Sequence, residues 1–150
     1  MVDQLLIGRK LAQVDSYLGQ MREFSKISFT AYKNDWKTQR IVERTLQILI
    51  EVCVDIANHI ISDQGMRLPT GYADTFEVLK EAKVISKRLG ETMETMAKFR
   101  NVVVHQYEKI DPDIVVFNTP QEFSRFWEIP KGNYQLPVEV KSGRIQGASC

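Results

Sequence analysis

Cysteine is scarce in this chain, which has only two among 150 residues. Cys53 lies within an apolar helical pattern and Cys150 is the last residue, and neither has the spacing of a disulfide framework or a metal site. A disulfide-stapled scaffold and a zinc module are therefore excluded. We expect Cys53 to belong to the core and Cys150 to a tail.

The chain also lacks a long apolar run and a large excess of either charge. No segment approaches the roughly 18 apolar residues of a membrane span, and the amino terminus has too short an apolar run for a signal peptide. We therefore expect a cytoplasmic protein without membrane association. Because the net charge is only +1, any binding of RNA must come from a local patch that this balance hides.

Glycine-rich phosphate loops and nucleophile elbows are absent too, whereas helical periodicity is plentiful. Apolar residues at alternating steps of three and four predict helices over residues 2–24, 35–62, 72–84 and 86–107, with Asn34 as N-cap of the second. Asp111 and Pro112 predict the start of a shorter helix. The fold class expected is all-α, an antiparallel helical bundle of four longer helices plus a short extra one.

The carboxy-terminal segment differs in character from the rest of the chain. Glycines and prolines interrupt it, and its few apolar residues form no helical stripe. We therefore predict one helical domain over residues 1–128 and an irregular tail over residues 129–150.

One short segment concentrates the polar groups of phosphate and proton-transfer chemistry: Arg100, Asn101, His105 and Tyr107. Arginine supplies a permanent planar cation suited to phosphate, and histidine exchanges protons near neutral pH. RNA carries its own nucleophile in the 2′-hydroxyl, so a base and a cation suffice for a ribonuclease without metal or cofactor. Each residue alone is more typical of a surface ion pair or a structural hydrogen bond, and it is their combination that favours catalysis.

The spacing of these residues limits how they can cooperate. Five residues along a helix rotate a side chain by about 140°, so Arg100 and His105 cannot share one face of a regular helix. Asn101 and His105, four apart, do share a face. A complete site therefore needs Arg100 to reach around the helix, or a second subunit.

The second predicted helix carries a polar ridge of Glu51, Asp55, His59 and Asp63 at steps of four. Such a ridge is more typical of a solvated helix face than of a metal site, because ligands on one straight helix diverge. We expect Glu51, Asp55 or His59 to face the site and hold Arg100 by an ion pair. A basic run of Lys80, Lys83, Lys87 and Arg88 is likewise more typical of a solvated face than of an RNA contact.

The order of Arg100, Asn101, His105 and Tyr107 resembles the motif of the HepT toxins within the HEPN superfamily. The flanks, from Met96 to Phe99 and from Ile110 to Pro112, are also similar to that family. The resemblance runs from Leu5 to Phe117, and the prolines and glycines that follow depart from the family's continuous helix.

The resemblance implies a homodimer with a four-helix HEPN core, whose two motifs face a shared cleft and cleave RNA without a metal or other cofactor. Arg100, Asn101 and His105 would be catalytic. It also implies a partner, a minimal nucleotidyltransferase antitoxin that adds AMP to Tyr107 and so blocks RNA. The alternative is a catalytically silent helical module that binds the same nucleotidyltransferase.

Overall fold

The structure, a computed structural model, describes residues 3–24 and 26–105, and the regular elements within them are all helices. In chain order they are α1 (Gln4–Arg22), α2 (Phe29–Lys33), α3 (Trp36–Asp63), α4 (Tyr72–Glu81) and α5 (Lys87–His105). The all-α fold class is confirmed. The four longer helices lie where the apolar periodicity predicts them, with ends that differ by at most three residues in the described part.

Helix α3 is the central element, since α1, α2, α4 and α5 all pack against it. Its apolar stripe includes Leu46 and Leu49, both fully buried, and α1 contributes the stripe that the sequence predicts, with Val14 and Leu18 in the same core. Of the described helices, α3 alone has the length and composition to cross a membrane, but 56% of that stretch is buried within the bundle.

Two polar contacts show that α1 and α3 run in opposite directions. The backbone N–H of Asp3 donates to His59 Nε2 at 3.2 Å, and Lys10 Nζ pairs with Asp55 Oδ2 at 3.0 Å. As α1 advances from residue 3 to residue 10, its partners on α3 move from residue 59 back to residue 55. This is the antiparallel packing expected of the bundle.

Helices α4 and α5 form a second antiparallel pair. Tyr72 at the start of α4 contacts Arg100 near the end of α5, and Lys80 near the end of α4 pairs with Glu94 at 3.0 Å. A Cβ atom at Gly90 would lie 2.9 Å from Lys80 Cδ. Glycine at position 90 therefore permits the close approach of the two helices, which explains a residue that otherwise weakens α5.

The prediction of Asn34 as N-cap of α3 is wrong by one residue. Asp35 is the cap, and its carboxylate accepts from the backbone N–H of Lys37 and Thr38 at 3.1 and 3.3 Å. Asn34 instead closes α2, a one-turn helix that begins after Ser28. Periodicity misses α2 because five residues are too few to show a stripe.

The connection from α3 to α4 is fixed by hydrogen bonds and ion pairs. Gly65 lies at φ 63° just beyond α3, where a left-handed residue closes the helix at least steric cost. Arg67 then donates to both carboxylate oxygens of Asp74 at 2.8 Å and pairs with Glu81 at 2.9 Å. These contacts fix the start of α4, and with it Tyr72.

Several expectations fall outside the described residues. They are the short helix predicted to begin at Pro112, the domain limit at residue 128, the tail over residues 129–150, Cys150, and Tyr107 of the motif.

Candidate functional site

Arg100 is the best-anchored residue of the motif, and its anchor is on α3. Its Nε and Nη2 both donate to Glu51 Oε1, at 3.1 and 2.8 Å. The Arg100 side chain is 16% exposed and that of Glu51 is 32% exposed. Of the three residues predicted from the sequence as partners for Arg100, Glu51 is the one that forms the ion pair.

The face and the far edge of the same guanidinium are also in contact. Its central carbon lies 4.5 Å from the ring centroid of Tyr72, a stacking distance that gives a favourable cation–π interaction. Nη1 donates to Asn101 Oδ1 at 3.3 Å. Arg100 is therefore held by α3 on one edge, by the first residue of α4 on one face, and by its own helix on the other edge.

Glu51 stays ionised in this setting. Burial acts to raise the pKa of Glu51, but hydrogen bonds from Arg100 and Gln47, with the positive charges of Arg100 and Arg44, outweigh it and lower the pKa. Because the depressed pKa lies below that of the unfolded chain, the pair contributes stability above about pH 4 and loses it under acid. At neutral pH, Arg100 is oriented by a full negative charge.

His105 occupies a different environment from Arg100. It is exposed, as is Asn101 four residues before it on the same face of α5, whereas Arg100 is turned toward α3 and α4. Helix α5 is regular throughout, so the offset of about 140° between Arg100 and His105 persists. Within one chain the structure brings Arg100 and Asn101 together and leaves His105 on another side of the helix.

The other ridge residues of α3 have separate partners. Asp55 pairs with Lys10, and His59 accepts from the backbone of Asp3, both on the α1 side. Neither contacts Arg100 in the described residues. Over residues 3–24 and 26–105, no three His, Cys, Asp or Glu side chains form a group able to hold a metal ion.

Two residues of the basic run at the α4–α5 connection form ion pairs. Lys80 pairs with Glu77 and Glu94, and Lys87 pairs with Glu91 at 3.9 Å. Carboxylates thus offset two of its four cations, as the solvated-face interpretation expects.

The contacts of Arg100 leave part of its hydrogen-bonding capacity open. A guanidinium has five N–H groups, and the described contacts use one on Nε, one on Nη2 and one on Nη1. One N–H on each terminal nitrogen has no partner among the described residues. Each of these two donors can bond an oxygen of a phosphate.

Tyr72 is the site residue that the sequence did not single out. It lies 28 residues before Arg100 in the chain, and only the antiparallel packing of α4 on α5 brings them together. A tyrosine directly after a Thr-Gly turn signal is not recognisable from the sequence as a contact of Arg100. Arg44 was not predicted as a site residue either, although its charge acts on Glu51 from two turns away on the same helix.

The chain matches known proteins over most of its length. A family described as ribonuclease HepT-like matches residues 14–128. The mRNA nuclease HepT of Shewanella oneidensis is 33% identical over 103 residues, which cover 67% of this chain and 77% of that protein. The tRNA nuclease HepT of Aphanizomenon flos-aquae is 29% identical over 114 residues, 76% of this chain and 78% of that protein.

A solved structure supports the same relationship. It is the tri-AMPylated Shewanella oneidensis HEPN toxin in complex with MNT antitoxin, which superposes with a TM-score of 0.73 at 29% identity and covers 89% of this chain and all of that one. The family match spans the helices that build the Arg100 site as well as the motif itself. The chain therefore belongs to the ribonuclease HepT-like family of HEPN toxins.

Proposed function

We propose that this protein is a metal-independent endoribonuclease toxin that uses Arg100, Asn101 and His105. The observation that carries the proposal is the fixed guanidinium of Arg100, held by Glu51 and Tyr72 with two N–H groups left for a ligand. Its position in the family and the names of its relatives as nucleases point to the same chemistry.

The reaction needs a base for the 2′-hydroxyl proton, an acid for the leaving 5′-oxygen and a cation for the charge on the phosphate. The 2′-oxygen of RNA attacks the adjacent phosphorus and loses its proton to a base, and the 5′-oxygen leaves and gains a proton from an acid. The products are a 2′,3′-cyclic phosphate and a 5′-hydroxyl. His105 supplies the base or the acid, a role typically worth about 10² to 10⁴ in rate, and solvent water serves the other proton transfer.

Arg100 stabilises the charge that collects on the phosphorus-bound oxygens. A cation already oriented before the reaction needs no reorganisation in the transition state, and a preorganised donor of this kind is worth roughly 3 to 4 kcal/mol. Glu51 and Tyr72 provide that orientation. Asn101 contacts Arg100, so it is placed to position the phosphate that Arg100 binds.

Two copies of the chain complete the site. Arg100 faces its own α3 and α4 while His105 is exposed on another side of α5, so one substrate phosphate does not readily reach both from one subunit. We therefore propose a homodimer in which His105 of one subunit lies beside Arg100 of the other. A two-fold axis would then create two such sites.

The partner is a minimal nucleotidyltransferase that transfers AMP to Tyr107. A solved relative is described as AMPylated and bound to an MNT antitoxin. Tyr107 follows His105 by two residues in the sequence, so a nucleotide on its hydroxyl brings an anion beside the base. Like charge and bulk then exclude RNA. An RNA substrate and a nucleotidyltransferase partner are both consistent with the cytoplasmic location that we propose.

The test is RNA cleavage in excess chelator. We expect wild-type protein to cleave RNA and to leave 2′,3′-cyclic phosphate ends, identified by mass spectrometry. An RNA with a single 2′-deoxy residue at the cleavage position should resist at that position only. Activity that requires an added divalent ion, or products with 3′-hydroxyl ends, would contradict the mechanism. Purified dimer that binds the nucleotidyltransferase but cleaves no RNA would establish the silent module instead.

A further inference from the structure

A basic and aromatic surface lies on α2 and the first half of α3, away from the motif in sequence. Residues 26–44 contain five basic and two acidic residues, a net charge of +3 against +1 for the whole chain. We call its exposed residues the α2–α3 face: Phe29, Lys33, Trp36, Lys37 and Arg44. The net charge of the whole chain does not reveal this local excess of positive charge.

The aromatic side chains of this face are exposed to solvent. Trp36 is 65% exposed and Phe29 is 39% exposed. A lysine amine sits near each ring: Lys37 Nζ lies 5.8 Å from the Trp36 centroid and Lys33 Nζ lies 4.9 Å from the Phe29 centroid. Large aromatic rings left in water beside cations are the combination that binds single-stranded nucleic acid, through base stacking and phosphate attraction.

The cations of this face are not held in salt bridges by any described residue. Within the described part of the chain, Lys33, Lys37 and Arg44 form no salt bridge. The two acidic residues of the segment have other partners: the carboxylate of Asp35 accepts from backbone N–H groups as the cap of α3, and Glu43 is buried and paired with Arg40 at 3.1 Å. The positive charge of the face is therefore available to phosphates, in contrast to the paired lysines near residue 80.

The face leads along α3 to Arg100. Lys37, Arg44 and Glu51 recur every seven residues, so they lie on one stripe of the helix. Lys37 and Glu51 are separated by about 21 Å at 1.5 Å per residue, a span of a few nucleotides. Arg44 lies between them, and its charge acts on Glu51, the partner of Arg100.

We propose that the α2–α3 face binds the single-stranded RNA that flanks the cleaved phosphate, with Trp36 stacking on a base and Lys37 and Arg44 contacting the backbone. This inference rests on the proposed ribonuclease function and adds the path of the substrate. It makes the strand on one side of the cut a determinant of substrate affinity.

The test uses a short, single-stranded 2′-deoxy oligonucleotide, which binds but is not cleaved. Trp36→Ala is expected to weaken binding about fivefold to hundredfold, as for loss of one base stack. Trp36→Phe, which keeps a ring, should retain most of the affinity but lose the tryptophan quenching that the probe causes in wild type. Leu5→Ala, at a side chain 58% exposed on α1, is the matched control and should bind like wild type.

The contribution of the charged residues of the face is measured separately, from the salt dependence of binding. Lys37→Ala with Arg44→Ala should reduce the slope of log affinity against log salt by about 1.4, since each single-strand phosphate contact contributes about 0.7. Lys83→Ala with Arg88→Ala, two exposed cations from the basic run, is the matched pair and should leave the slope unchanged. With RNA as substrate, the variants of the α2–α3 face should raise KM more than they lower kcat. The increase in KM should be smaller when the substrate is a dinucleotide.

Two results would overturn the inference. One is equal affinity of Trp36→Ala and Leu5→Ala for the probe while wild type cleaves RNA, which refutes the RNA path and leaves the proposed function intact. The other is a change from dimer to monomer in Trp36→Ala by light scattering, which would make the face an interface between copies. Probe binding that depends on Trp36 in a protein that cleaves no RNA would refute the proposed function and leave the face as a surface that binds single-stranded nucleic acid.

Discussion

Alanine at either His105 or Arg100 is expected to lower the rate of RNA cleavage by at least about 100-fold, because each removes a group that acts in the transition state. The loss should appear in kcat, measured with saturating RNA. The double variant should be little worse than the more impaired single one, since residues that act as a unit lose their joint contribution once.

Matched controls exist within the chain for both substitutions. His59 is the other of the two histidines and is bonded to the backbone of α1, so His59→Ala should retain activity. Arg67 forms ion pairs with Asp74 and Glu81, so Arg67→Ala should lower the melting temperature more than the cleavage rate. Because Arg100→Ala leaves Glu51 without its partner, Arg100→Ala with Glu51→Gln separates lost catalysis from lost stability. Full activity in Arg100→Ala and His105→Ala would refute their assignment.

Protein made together with its nucleotidyltransferase and ATP should carry added AMP and should cleave RNA at least about 100-fold more slowly than unmodified protein. The physical reason is the anionic nucleotide beside His105, which repels and obstructs the substrate phosphate. Intact-mass measurement should show the adenylyl increments, and Tyr107→Phe should abolish them and remain active in the presence of the partner.

Tyr17→Phe on α1 is the matched control, and it should be modified and inhibited like wild type. Inhibition of Tyr107→Phe by the partner to the same extent as wild type would show that the nucleotidyltransferase blocks the site by binding alone.

The fold followed from the sequence where long stripes repeat. The stripes of α1 and α3 carry enough turns for the 3.6-residue period to be unambiguous, and both helices lie where they were predicted. Local detail was less accessible. Asn34 and Asp35 are both good caps, and the choice depends on where α2 ends, which a five-residue helix does not reveal in advance.

The chemistry of the candidate site was predictable from the sequence, but the residues that hold Arg100 in place were not. The residue types at positions 100 to 107 indicate phosphate chemistry without any structure. Side chains four residues apart on α3 lie on the same face, so periodicity does not distinguish Glu51, Asp55 and His59. The one that contacts Arg100 is decided by the rotation and axial position of α5 against α3. Tyr72 is joined to Arg100 only by tertiary packing.

The central claim is that Arg100 of one subunit and His105 of the other form one ribonuclease site. The most direct test is to co-express Arg100→Ala and His105→Ala chains with different affinity tags and to isolate the mixed dimer. One of its two sites then retains both residues, so the mixed dimer should recover about half of the wild-type activity while each parent dimer stays inactive. A mixed dimer as inactive as its parents would contradict the claim.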